Sequence, residues 1–440
     1  MRKFLQSISI LFILALGFYV RFVNYSVWPR EGATFDEYAW PWLGMSLIQQ
    51  GVPSSWSPHS QYENYEAIIY RKAPFRIVKP YLEHPPLFGL ISGGYALLSG
   101  AKNMFDSAYI NPKSLRKLSL FFGTTSILLI YLFVQKIYNR KMAVISSLLY
   151  ATVPTTAVGS RLLQNENFMI PVWLFVLWML AIYLESKKRI HLWLVSTVSA
   201  LMIWAKIPWF VIGASVCAIL IYNKRWKDCL PVGLLMVFSL FLFFLYGYFW
   251  DLELFANLWK LQLARYDIGL NSVLTLFTMP FLTDRLLVDG WIYFGWISIS
   301  LLASSFKKHI FVLIPFTSYF LLYVWAIPGQ QAQGWYRFPL YPFLIIAVAI
   351  VIFELFKKPA LLAVIFQFIV GASAFRNGYE PIFGITFSFF RFLIIAWSIP
   401  AMLFLFFGKR FATFYRYSLF FWIFVFLILN VSSSRLYNEQ

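Results

Sequence analysis

The chain has 440 residues, of which 60% are hydrophobic and 21% aromatic but only 12% charged. A soluble domain carries about 25% charged residues, and a β-barrel would show short alternating segments rather than long apolar runs, so the composition leaves an all-α polytopic membrane protein. The formal charge of +19 implies no nucleic-acid partner, because the excess Lys and Arg sit in short loops between apolar runs, as the positive-inside rule expects.

The first apolar segment, Phe4 to Val20, follows Arg2 and Lys3 and meets Arg21 with no small-residue cleavage site. It reads as a retained first helix, not a cleaved signal peptide. A long polar stretch, residues 24–113, follows. Its segment TFDEYAWPWLGMSLIQQG places Asp36 and Glu37 just beyond the first helix. Carboxylates kept beside a membrane point to a site more than to packing. Tyr38 to Gln50 is predicted to lie along the outer interface as an amphipathic helix, with Trp40, Leu43 and Leu47 facing lipid and Gly51 ending it. Residues 84–100 hold only about 14 helical positions, too few to cross. Pro85 and Pro86 suit a helix start and Gly100 a stop, while Leu87, Leu90, Ile91, Gly94 and Leu98 share one face. This too reads as an interfacial helix.

Predicted spans are 4–23, 114–135, 141–158, 166–184, 190–206, 207–223, 230–250, 290–305, 309–327, 338–355, 359–375, 385–407 and 415–432, about thirteen in all. Basic turns punctuate them: Lys136, Arg140 and Lys141; Lys187, Lys188 and Arg189; Lys224, Arg225 and Lys227; Lys307 and Lys308; Lys357 and Lys358; Lys409 and Arg410. An even number of spans separates each turn from the next, so all face the cytoplasm together. The N-terminus is then inside and the C-terminal tail outside. A second outer loop, residues 251–289, carries mixed charge and reads equally as a lid, a partner helix or a plain connector. No polar stretch is long enough for a separate soluble core, so residues 1–435 are expected to form one transmembrane domain. Cys217 and Cys229 suggest neither a disulfide framework nor a metal site. His59, His191 and His309 read as incidental.

Several charges lie neither in the basic turns nor in plain tails and map to the outer side: Asp36 and Glu37, Glu83 and His84, Arg161 and Glu166 in SRLLQNENF, Lys206 in WAKIPW, and Arg337 in GWYRFPLYPF. A lysine costs about 2.5–3.5 kcal/mol at the centre of a spanning helix and less near the interface. Lys206 could snorkel, but cations and carboxylates at one interface fit a polar cavity better. Arg and Lys suit a phosphate. A carboxylate suits a general base acting on a hydroxyl, and the cations would stabilise charge growing on a phosphate leaving group. A sugar on a polyprenyl phosphate fits that description and accounts for the bilayer setting. No P-loop or Rossmann glycine fingerprint is present. The rival reading is a transporter or flippase of lipid-linked glycans, which also uses intramembrane Lys and carboxylates; no paired halves are visible in its favour. A non-catalytic binder of such glycans is a third.

These motifs also carry a family resemblance. TFDEYAW resembles the acidic first-loop motif of GT-C membrane glycosyltransferases. EHPPLF resembles the HPPL or KPPL motif of protein O-mannosyltransferases and lipid A aminoarabinose transferases, SRLLQNENF their second-loop pattern, and WYRFPLYPF their later Arg-Tyr-Pro segment. The ordered match spans roughly residues 1 to 345 and is nearest the bacterial branch of that superfamily. It implies a GT-C-like bundle of about 13 transmembrane helices with interfacial helices in the first outer loop, at the plasma membrane. Asp36 would be the catalytic carboxylate that activates the acceptor hydroxyl, supported by Glu37. His84, Arg161, Lys206 and Arg337 would hold the donor phosphate, with Glu83 and Glu166 as supporting acids. Glu166 stands where the family usually has Asp, and His84 agrees with the mannosyltransferase motif but not with its lysine version. The implied partners are a polyprenyl-phosphate sugar donor, a protein, lipid or glycan acceptor, and membrane lipids. Some relatives use a divalent metal and others do not. Asp36, Glu166 and His84 are the residues able to bind one, and nothing in their spacing demands it.

Overall fold

The computed structural model describes residues 2–264, 270–327, 333–357 and 361–439. After α1 (Arg2–Phe22), the polar stretch folds as α2 (Asp36–Gln50), strands β1 (Ser55–Trp56), β2 (Tyr65–Tyr70) and β3 (Ala73–Val78), and α3 (Leu87–Leu98). The bundle continues through α4 (Pro112–Ile137), α5 (Arg140–Thr152), the short α6 (Pro154–Gly159), α7 (Asn165–Ser186), α8 (Arg189–Ile203), α9 (Phe210–Tyr222), α10 (Cys229–Ala264) and α11 (Leu270–Thr278). It ends with α12 (Gly290–Ala303), α13 (Ile310–Ala326), α14 (Tyr341–Lys357), α15 (Leu361–Gly378), the short α16 (Glu380–Phe383), α17 (Phe387–Phe407) and α18 (Ala412–Leu436).

Among the described residues, six helical stretches are long and apolar enough to cross a membrane, and six further apolar helices have 10–17 residues. The chain is an integral, multi-pass membrane protein. Every predicted span but one overlaps one of these helices; 141–158 falls instead on α5 and the short α6, broken at Val153. Lys358 and the start of the predicted span 359–375 lie outside the described residues. One apolar core runs from Ile13 to Tyr437. Four of the basic turns gather at one end of the bundle. Lys136 pairs with Glu185, the Tyr138 hydroxyl meets His309 Nδ1 at 2.7 Å, and Arg189 and Arg225 share Asp228 at 2.9 and 2.5 Å. The opposite end, called the site end below, carries α2, the sheet and α3.

The three strands form an antiparallel sheet in the order β1-β3-β2. Nothing in the predicted elements anticipates it. Strands β2 and β3 are joined by Arg71 and Lys72 at φ +49° and +66°. Such two-residue turns normally announce themselves with Asn-Gly or Asp-Gly, and two basic residues give no such signal.

Helices α2 and α3 bear out the predicted boundaries. Gly51, at φ +69°, caps α2 by donating its N–H to the Leu47 carbonyl. The predicted lipid-facing side of α2 is wrong, however. Trp40 and Leu43 are buried, because α2 packs against α3 through glycines on both helices. A Cβ on Gly44 would lie 1.9 Å from the Gly89 carbonyl oxygen. It is α3 that turns Leu90 and Leu98 outward. Gly44→Ala is therefore expected to force the helices apart and destabilise by about 1–3 kcal/mol, read as a lowered melting temperature.

The second outer loop is largely helical. Helix α10 breaks at Asp251, whose backbone is extended and whose Oδ1 accepts from the Leu254 N–H at 2.9 Å. Phe255 and Trp259 then pack edge-on against Phe243, at 5.3 and 5.5 Å between ring centroids. In a straight helix twelve residues span about 18 Å, so residues 252–264 fold back on the leg before the break.

Candidate active site

Asp36 opens α2, and its N–H donates to Thr34 Oγ1 at 3.2 Å. The next residue fixes it. Glu37 is buried and accepts from the Arg116 guanidinium of α4 at 2.7 and 2.8 Å and from the Leu163 N–H at 3.0 Å. Arg116 also donates to the carbonyls of Tyr25 and Pro29 at 3.0 and 2.5 Å. One buried ion pair thus ties the chain after α1 to α2, α4 and the turn before α7.

A cavity of about 650 Å³ opens beside Asp36, lined also by Trp40, His59, Tyr81, Glu83, His84, Glu166, Lys206, Trp209, Gln262, Asp284 and Tyr336. Lys206 precedes a short 3₁₀ turn, Ile207–Trp209, that breaks the chain between α8 and α9. Its Nζ lies 2.7 Å from Glu166 Oε1 in the first turn of α7, 4.9 Å from the centre of the Tyr336 ring and 5.4 Å from that of Trp209. His84 packs on Trp40 with ring centroids 5.0 Å apart. His59 Nε2 lies 3.4 Å from Glu83 Oε2, and Gln262 from the folded-back leg of α10 approaches the same nitrogen at 3.5 Å. Asp284 pairs with Arg30 at the rim.

Five of the eight residues selected from sequence therefore share one cavity: Asp36, Glu83, His84, Glu166 and Lys206. The other three do not line it. Glu37 is spent on Arg116. Arg161 is fully buried and gives its donors to backbone carbonyls, those of Arg21, Val20 and Ser434 at 3.1, 3.0 and 2.9 Å and that of Trp28 at 3.3 Å. Arg337 donates to the carbonyls of Met279 and Thr275 and borders a separate cavity of about 20 Å³. His59, read as incidental, belongs to the site, and so do the aromatic partners of Lys206. Trp209 and Tyr336 stand in the quoted segments WAKIPW and GWYRFPLYPF, but nothing in those segments singles them out; no local motif marks His59, whose partners come from the loop before α3 and from α10.

Burial pushes the Asp36 carboxyl up to about 6. Lys206 opposes that shift, while Glu166 and Glu37 add to it, and Gln164 hydrogen-bonds the side chain. A carboxylate with that affinity is a stronger base than an ordinary Asp and is still ionised at neutral pH. If the ionised form is the working one, turnover is full above about pH 7, halves near pH 6 and falls about tenfold per unit below. A rate profile against pH checks this, and the sign is a loss on acidification.

Asp36, Glu166 and His84 face one cavity, yet among the described residues no group of three or more His, Cys, Asp and Glu could hold a metal ion. Glu166 directs its carboxylate at the Lys206 ammonium, which already supplies the charge a cation would bring.

A family model described as dolichyl-phosphate-mannose-protein mannosyltransferase matches residues 83–248. The apo form of ArnT from Cupriavidus metallidurans superposes with a TM-score of 0.57 at 14% identity, covering 97% of this chain and 77% of that one. ArnT bound to undecaprenyl phosphate gives 0.56 at 13% identity over the same shares. The chain has the GT-C fold. The archaeal oligosaccharyltransferase AglB from Archaeoglobus fulgidus, in complex with an inhibitory peptide and a dolichol-phosphate, shares the fold over 99% of this chain, with a TM-score of 0.56 at 12% identity. This GT-C bundle spans only 56% of AglB's length. No curated protein sequence matches it significantly. The sequence likeness to the mannosyltransferase family model thus covers residues 83–248, and the likeness in fold to ArnT covers 97% of the chain.

Proposed function

We propose that this GT-C protein is an integral membrane glycosyltransferase of the plasma membrane. It moves a sugar from a polyprenyl-phosphate donor to a nucleophile, most simply a hydroxyl, on an acceptor at the extracytoplasmic face. The observation that carries the reading is the meeting of Asp36 with the Lys206–Glu166 pair in one cavity at the site end, opposite the basic turns. ArnT and AglB supply the analogy for the donor, as structures bound to undecaprenyl phosphate and to a dolichol-phosphate.

In this mechanism Asp36 accepts the proton of the acceptor hydroxyl as its oxygen attacks the anomeric carbon. The bond from that carbon to the phosphate oxygen breaks, and the electron pair leaves with the polyprenyl phosphate. Lys206, aimed by Glu166, and His84 stabilise the charge that grows there. Glu37 and Arg116 are positioning residues that hold the start of α2 in place, and Arg161 ties α1 to the end of α18.

The test is incubation of the purified protein in lipid with a panel of polyprenyl-phosphate sugars and candidate acceptors, read by mass spectrometry. One donor should be consumed with release of polyprenyl phosphate. Movement of donor across the bilayer without a covalent product would replace this reading with the flippase one. A narrower test addresses the phosphate subsite. Replacing Lys206 and Glu166 together by Gln removes the ammonium without leaving a buried lone carboxylate. One lost charge-assisted hydrogen bond is worth about 1.5–3 kcal/mol, so affinity for undecaprenyl phosphate should fall about tenfold or more in a competition assay.

A further inference from the structure

A second lipid-facing feature lies on the flank of the bundle, sharing no residue with the Asp36 cavity. Between α12 and α15, partly under α11, runs a groove of about 530 Å³ lined by Phe277, Tyr293, Trp296, Ile297, Ile369 and Arg376, among others. Its wall is apolar, because the polar groups in it serve one another. The Tyr293 hydroxyl donates to the Phe277 carbonyl at 2.9 Å, and the Ser373 hydroxyl accepts from the Gly290 N–H and donates to the Val370 carbonyl. Arg376 is the exception. It is exposed in the last turn of α15 and makes no ion pair among the described residues, although Glu380 follows four positions later.

The spacing matters. Ile369 lies seven residues before Arg376, about 10 Å nearer the middle of the bundle. A guanidinium therefore stands at the mouth, at the level where α15 leaves the bilayer, with an apolar trough running inward beneath it. A cation above an apolar slot matches a phosphate above an acyl chain: Arg binds phosphate through charge-assisted hydrogen bonds, and an acyl chain is held by burial of its CH₂ groups.

We propose that this groove seats an anionic phospholipid of the leaflet at the site end, with its phosphate on Arg376 and an acyl chain between α12 and α15. The lipid would also brace α11 through Phe277, whose ring packs at a tilt on Trp296 with centroids 5.1 Å apart. The proposal is independent of the catalytic reading.

The test places the full chain in phosphatidylcholine nanodiscs containing a small share of phosphatidylglycerol with a photoreactive acyl chain. After irradiation, labelled peptides are mapped by mass spectrometry. Labelling of residues 290–297 and 369–376 should exceed that of lipid-facing α17. Arg376→Gln should reduce it about tenfold, the fold-change of one charge-assisted hydrogen bond. Ala372→Trp, which fills the trough and leaves the cation, should reduce it to the α17 level. Equal labelling of α17, retention of the signal in Arg376→Gln, or an equal signal from a photoreactive phosphatidylcholine overturns the proposal. So does displacement by undecaprenyl phosphate but not by unlabelled phosphatidylglycerol.

Discussion

Asp36→Asn is expected to abolish sugar transfer while the protein folds as before. A positioned general base contributes about 10²–10⁴-fold, and the amide cannot accept the proton, so kcat should fall by that range or below detection. The substitution is nearly isosteric. It also removes a charge that burial disfavours, since the fold holds the Asp36 carboxyl near 6, above its ordinary value of 3.8. A group whose folded pKa is raised is destabilising when ionised, and that cost appears as pH rises through this window. At pH 7.5 the variant should therefore melt at or above the wild-type temperature. Undecaprenyl phosphate binding should persist, because Lys206 keeps its Glu166 partner. Lost turnover with retained melting and retained lipid binding assigns Asp36 to the chemistry. Unchanged turnover would remove the mechanism.

Asp36, Glu83, His84, Glu166 and Lys206 were legible because a titratable group near a bilayer is costly, and its presence alone is informative. Arg161 and Arg337 carry the same cost but do not line the cavity. An arginine carries five donors, and folded backbone offers carbonyls that no sequence pattern reveals. Arg161 finds four of them, on α1, on the loop after it and at the end of α18. A cation that looks available for phosphate in the sequence can thus be consumed by the scaffold. Helix boundaries were legible wherever apolar length and caps decide them, as at Gly51. Which side of α2 is buried was not, because that depends on Gly89 and Gly93 of a different helix. His59 escaped for a related reason: its partners Glu83 and Gln262 are 24 and 203 positions away.

Glu37→Ala gives the sharpest test of the scaffold beneath the base. The Arg116 and Glu37 side chains are 0% and 3% exposed. Removing one partner of such a pair leaves an uncompensated buried charge and costs about 3–5 kcal/mol, so a large fall in melting temperature is expected. Activity should fall with it, since Glu37 adjoins Asp36 and accepts the Leu163 N–H two residues from the Arg161 clamp. Pairing Glu37→Leu with Arg116→Met separates positioning from chemistry. Buried ion pairs replaced by apolar residues of similar volume are often neutral or stabilising, so the double variant should recover most of the lost stability. It should not recover full activity, because the apolar pair cannot hold Leu163 or the carbonyls of Tyr25 and Pro29. Its residual turnover should keep the acid limb near pH 6 that belongs to Asp36. A double variant that is stable but has lost that limb would instead place Glu37 among the groups that handle the proton.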